Sequence, residues 1–110
     1  MDTRLLTGMV ETLILEIVAQ GASYGYAIAQ TANERSHGQF ELKEGSLYPA
    51  LHRLEREKLL ASFWQMADGR RRKYYKLTSA GQRTLAARKR QWQEFSSGVN
   101  GILGTAHGLA

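Results

Sequence analysis

Lys43-Glu44-Gly45-Ser46-Leu47-Tyr48-Pro49-Ala50-Leu51-His52-Arg53-Leu54-Glu55-Arg56-Glu57-Lys58-Leu59-Leu60 is the stretch that decides how the rest of the chain is read. Leu47, Ala50, Leu51 and Leu54 recur at i, i+3, i+4 and i+7, so they share one stripe of a helix and turn it toward a core. Tyr48, Pro49, His52, Arg53 and Arg56 fall on the other side, mixing an aromatic ring, hydrogen-bonding groups and positive charge. Such a face can enter a DNA groove, although any surface helix of a small domain also shows a core stripe backed by a solvated charged face. Pro49 has no N–H and its ring collides with the carbonyl one turn back, so it belongs in a first turn. The helix is therefore expected over about 46–58, with Ser46 as N-cap. The free amides and positive dipole end beside Ser46 suit a phosphate.

Charge concentrates on this helix and on the segment C-terminal to it. The 110-residue chain has a formal charge of +5, but residues 1–42 carry two basic and five acidic side chains, net −3. Residues 43–90 carry thirteen and four, net +9, and residues 91–110 none and one, net −1. A polyanion would meet the middle of the chain. The length implies one domain small enough for dimerisation to help its stability. There is no cysteine, which excludes a disulfide framework or a thiolate metal site and fits a reducing cytoplasm. The apolar run 5–18 is interrupted by Gly8, Glu11, Thr12 and Glu16, so neither a signal peptide nor a membrane span is expected.

Upstream, Leu6, Met9, Val10, Leu13, Ile14, Ile17 and Val18 form a broad helical stripe ended by Gly21. Its width fits core alone, or core on one side and a dimer partner on the other. Ser23 can cap a second helix over 24–35, where Gly25, Ala27 and Ala29 permit close packing before Ser36, His37 and Gly38 break it. Phe40-Glu41-Leu42 alternates and predicts one short edge strand.

Downstream, residues 61–66 and 72–77 are rich in aromatic residues and flank Asp68-Gly69, which predicts a hairpin. Arg70, Arg71, Arg72 and Lys73 put four consecutive cations at its tip and first rung. Helix, helix, short strand, helix and a hairpin with a basic tip is the order of a winged helix-turn-helix. In that architecture the third helix enters the major groove and the wing meets backbone or minor groove. Ser79-Ala80-Gly81-Gln82 has the form of a capping box and opens a fourth helix. Along it Leu85, Trp92 and Val99 recur every seven residues, with Phe95 and Ile102 at the complementary position and only Arg88 interrupting. A second subunit is the expected partner of that seam. Gly98, Gly101, Gly104 and Gly108 weaken the end, predicting fraying from about Gly104.

The fold class expected is thus mainly α with a small β-hairpin: a winged helix-turn-helix over 1–78, a continuous C-terminal dimerisation helix over 79–103, and a flexible tail over 104–110. The chain also resembles the PadR family of bacterial transcriptional regulators over residues 5 to about 103. The resemblance rests on Tyr24-Gly25-Tyr26-Ala27-Ile28, on Glu44-Gly45-Ser46-Leu47-Tyr48-Pro49-Ala50-Leu51 with Arg53-Leu54-Glu55, and on Gly69-Arg70-Arg71 with Lys73-Tyr74-Tyr75-Lys76-Leu77-Thr78 and Gly81. The length is similar to the short subfamily, in which a single C-terminal helix dimerises. In its multidrug-sensing members a tryptophan on that helix stacks on flat aromatic ligands between subunits, and Trp92 matches its position. Trp92 can equally be an ordinary interface aromatic, since Phe95, Val99 and Ile102 would fill a pore that a ligand site must keep open.

Groove contacts are expected from Ser46, Tyr48, His52 and Arg53, with Tyr24, Lys43 and Pro49 beside them and Arg56 on phosphate. An intrahelical pair with Glu57 competes for Arg53. Arg70, Arg71, Arg72 and Lys73 should set affinity rather than sequence choice. Leu6, Val10, Leu85, Trp92, Phe95, Val99, Ile102 and Leu103 are the expected dimerisation residues. His37, His52 and His107 are too scattered for a metal site, and no catalytic constellation or phosphate-cradling loop is evident, so neither a metal, a cofactor nor an enzyme is expected. The function expected is a homodimeric, cytoplasmic, sequence-specific repressor on a palindromic operator, associated with the nucleoid when bound. A small aromatic effector is a possible further partner. The alternative is a winged-helix module that recognises a protein or RNA.

Overall fold

The computed structural model describes residues 3–104. Five helices and three strands follow in the order α1 (Thr3–Thr7), α2 (Val10–Ala19), β1 (Ser23–Tyr24), α3 (Gly25–Arg35), α4 (Glu44–Arg56), β2 (Leu60–Ala67), β3 (Arg70–Leu77) and α5 (Ser79–Leu103). The strands form one antiparallel sheet in the order β1-β3-β2. The architecture is mainly helical with a small sheet, as the hydrophobic patterning predicts.

α2 is the hub, packing against α3, α4, α5 and β3. Ile14, Leu15, Ile28, Leu51, Leu54 and Leu60 are the largest fully buried side chains, and Leu47 and Ala50 complete the core stripe of α4. Leu15 lies off the stripe expected for the first helix and is nonetheless buried, because elements surround α2 on several sides. The single helix expected over 6–18 is two helices: the chain breaks at Gly8 and Met9, and Met9 N–H donates to the Leu6 carbonyl at 2.8 Å.

Three local expectations need correction. First, Phe40-Glu41-Leu42 is not a strand. It runs across the core with Leu42 buried, and its backbone bonds go to side chains, Phe40 N–H to Ser36 Oγ and Phe40 O from Asn33 Nδ2. The third strand is Ser23–Tyr24, paired with Tyr75 and Tyr74 of β3. Tyr24 therefore takes the N-cap position of α3 in place of Ser23, with no side-chain cap bond. Second, α4 begins at Glu44, with Lys43 at the N-cap position, and Ser46 sits inside its first turn without a capping role. The Lys43 carbonyl starts the helix by accepting from Ser46 N at 2.9 Å and Leu47 N at 2.8 Å. Pro49 consequently lies inside the helix, where it removes one hydrogen bond to the Gly45 carbonyl. Third, the cap of α5 is Thr78, whose Oγ1 accepts from Gly81 N at 2.9 Å and donates to the Lys58 carbonyl at 2.8 Å.

The hairpin forms where it is expected. Ala67 pairs with Arg70 across a two-residue turn in which Asp68 (φ 54°) and Gly69 (φ 73°) are both left-handed, the geometry Asp-Gly favours. α5 runs through Gly98 and Gly101 and ends at Gly104, left-handed at φ 74°. The expected tail beyond it, with His107 and Gly108, lies outside the described residues.

Candidate nucleic-acid interface

The solvent face of α4 and the wing formed by β2 and β3 border one cleft. Tyr24, Tyr48, His52, Arg70, Arg71, Arg72 and Lys73 line it together with Gly25, Tyr26, Trp64 and Tyr75. Seven of the twelve residues expected to contact DNA are thus gathered from three separate segments. Pro49 and Arg56 are exposed on α4 beside the cleft, and Lys43 and Ser46 are exposed at its N-terminal end.

Packing fixes the angle between helix and wing. The Tyr48 ring lies against the start of α3, so closely that a Cβ at residue 25 would sit 2.6 Å from its hydroxyl. This explains the small residue there. Glu55, at the edge of α4, accepts from Ser62 Oγ at 2.5 Å and pairs with Lys73 Nζ at 3.1 Å. The Ser62 bond, then Lys73, holds the Glu55 carboxyl below the usual carboxylate range, and Glu55 in turn raises Lys73. Burial pushes the neighbouring Tyr75 phenol up. Glu55 is therefore turned toward the wing, where Lys73 offsets its charge.

Aromatic rings hold the wing's arginines. Arg72 lies 4.7 Å from the Tyr24 ring centroid, Tyr24 meets Tyr74 edge-on at 5.2 Å, and Tyr74 stacks on Phe63 at 5.5 Å. Arg71 lies 4.7 Å from the Trp64 ring. Stacking orders each guanidinium while leaving its edge free for hydrogen bonds.

Arg53 departs from expectation. Its Nε donates to Glu11 of α2, not to Glu57, because α2 packs against the flank of α4 on which Arg53 lies. Glu11 also receives Arg88 Nη1 of α5 at 3.4 Å, so one carboxylate joins three helices. No local pattern could reveal this contact, since Glu11 is 42 positions from Arg53.

The expected dimerisation residues divide. Leu6, Val10 and Leu85 belong to the protomer's own buried core, which leaves them little surface for a partner. Trp92, Phe95, Val99, Ile102 and Leu103 are exposed along the C-terminal half of α5, with Phe95 at 65% and Ile102 at 87%. Trp92 and Phe95 also border a cavity between α1–α2 and α5 that reaches Glu11, Arg53 and Arg88.

Comparison with known proteins agrees with this geometry. The family model described as "Transcriptional regulator PadR-like family" matches residues 14–87. A transcriptional regulator of Mycobacterium tuberculosis, Rv3488, is 36% identical over 88 residues, covering 80% of this chain and 79% of the relative. A PadR-like transcriptional regulator from Bacillus cereus is 35% identical with a TM-score of 0.79, covering 91% of this chain and 96% of that one. A transcriptional regulator from Clostridium thermocellum has a TM-score of 0.83 at 28% identity, covering 91% and 95%. With a matched region that spans the core helices, α4, the basic wing and the start of α5, the chain belongs to the PadR-like family of transcriptional regulators.

Proposed function

We propose that the chain is a homodimeric, sequence-specific repressor that places α4 in the major groove of each half-site of a pseudo-palindromic operator. The observation that carries this is the convergence of the exposed face of α4 and the cationic wing on one cleft, with the ring contacts that order the arginines. His52 and Tyr48 are the side chains of α4 in that cleft and read base edges, while Arg56, Lys43 and Ser46 meet backbone. Arg53 reaches DNA when it leaves Glu11; a bidentate contact to guanine then contributes about 1–3 kcal/mol of discrimination.

The exposed seam of α5 supports dimerisation, since its apolar side chains are left largely open to solvent in the protomer. Two subunits would present their α4 helices about one helical turn of DNA apart. The chain then works in the cytoplasm, on the nucleoid when bound. The cavity beside Trp92 supports a flat aromatic effector that would shift subunit geometry and hence half-site spacing.

Gel-shift titration at several salt concentrations tests the proposal, comparing a duplex recovered from fragmented genomic DNA with its shuffled sequence. The recovered duplex should bind about a thousandfold or more tightly, with two chains per duplex. Equal affinity for the two duplexes sinks the repressor and leaves the winged-helix module for protein or RNA.

A further inference from the structure

We propose that the wing reads sequence as well as supplying charge: Arg71, held on Trp64 and bordered by Met66, enters the minor groove beside each half-site and selects narrow, A·T-rich flanks. The inference rests on the DNA-binding reading above.

Cross-strand pairing puts Trp64 opposite Lys73 and Met66 opposite Arg71, so all four share one face of the hairpin. Ser62 and Tyr75 lie on that same face, and Ser62 meets Glu55 of α4. The patch is therefore continuous with the proposed DNA surface and extends it toward the wing tip.

Folding of the wing does not account for its apolar members. Phe63, Tyr74 and Tyr24 pack on one another on the opposite face, stacked and edge-on in turn, whereas Trp64 and Met66 stand 56% and 62% exposed. A tryptophan and a methionine open to water, and flanked by cations, suit a polyanion that also offers apolar surface. Duplex DNA does so in its minor groove, where sugars form the walls and apolar side chains can press between base steps.

The cations themselves are not equivalent. Lys73 is paired with Glu55 and Arg72 lies over Tyr24 on the other face. Arg71 shares the patch with Lys73, and it is the Arg71 guanidinium that is laid over Trp64. A narrow minor groove concentrates negative potential and favours a guanidinium that has already lost part of its hydration. A·T-rich tracts have that groove, so the preference appears as sequence selection without base-specific hydrogen bonds.

Selection by the full chain from duplexes randomised in core and flanks is the test. The recovered sequences should be A·T-rich just outside each half-site, and G·C flanks should weaken binding about tenfold. Arg71→Lys keeps the charge and Trp64→Ala keeps the arginine; both should retain the core sequence while the flank penalty falls to about threefold or less. Neutral flanks in the wild-type selection, or an undiminished penalty in both variants, overturn this proposal alone. Failure to recover any common core sequence overturns it together with the specific-repressor reading.

Discussion

Two glycines show how single residues set the site. Gly25 leaves room for the Tyr48 ring, and Gly81 lets the start of α5 close on the Leu59 carbonyl. Gly25→Ala should cost about 1–3 kcal/mol in urea unfolding, and the cost should largely vanish in the Gly25→Ala/Tyr48→Ala double variant. Gly81→Ala should cost about 3 kcal/mol with no such rescue, because a backbone carbonyl cannot rotate away as a ring can. The core stripe Leu47, Ala50, Leu51 and Leu54 was legible from spacing alone, since a helix has one period and these four obey it. Arg53 was not: its sequence neighbourhood offers Glu57, while the partner it takes, Glu11, arrives through packing of α2 on α4. Trp64 and Met66 were legible as strand residues but not as an exposed patch, which depends on the face the register gives them.

At the level of elements, junctions depart from the sequence pattern and interiors follow it. Asp68-Gly69 announces its turn because few other residues accept two left-handed positions in succession. β1 is two residues long and exists only because the edge of β3 is there to pair with it, so no periodicity could announce it. Phe40 and Leu42 alternate because the segment is tied to the core by Asn33 and Ser36, which imitates a strand in sequence. Thr78 caps α5 and also ties the start of α5 to the α4–β2 connection through the Lys58 carbonyl, so Thr78→Ala should cost about 1–2 kcal/mol by denaturant titration. The Glu55 link between α4 and the wing has a definite pH signature. Its folded pKa is depressed, so its contribution is complete above the unfolded value of about 4.3 and is lost as pH falls through the lower folded value. Lys73 is raised, so its contribution is present below about 10.4 and is lost as pH rises through the higher folded value. Glu55→Gln should therefore lower the urea midpoint at pH 7, and its difference from wild type should shrink as pH falls through the lowered folded value.

The whole molecule measures 52 × 29 × 23 Å, an elongation that comes with a 25-residue α5 whose C-terminal half is largely exposed in the protomer. Phe95→Asp with Ile102→Asp should convert a dimer to a monomer in sedimentation and weaken operator binding, since each half-site would then be held alone. A dimer of unchanged mass would remove α5 from the interface. Charge is partitioned as the linear sequence suggests, with the positive segment folding into α4, the wing and the start of α5. What the sequence could not show is that helix and wing close on one cleft, because that depends on Tyr48 against Gly25 and Glu55 against Ser62 and Lys73. The central claim is a division of labour across that cleft, with α4 reading the core of each half-site and the wing supplying phosphate contact and, through Arg71, the choice of flank. Binding of the recovered and shuffled duplexes across a salt series, by wild type, His52→Ala and the Arg70→Ala/Arg71→Ala/Arg72→Ala variant, tests it most directly. His52→Ala should narrow the gap between the duplexes with the salt slope retained, and the triple variant should weaken both and lower the slope by about 2–3. Duplex binding unaffected by the triple variant would contradict the account.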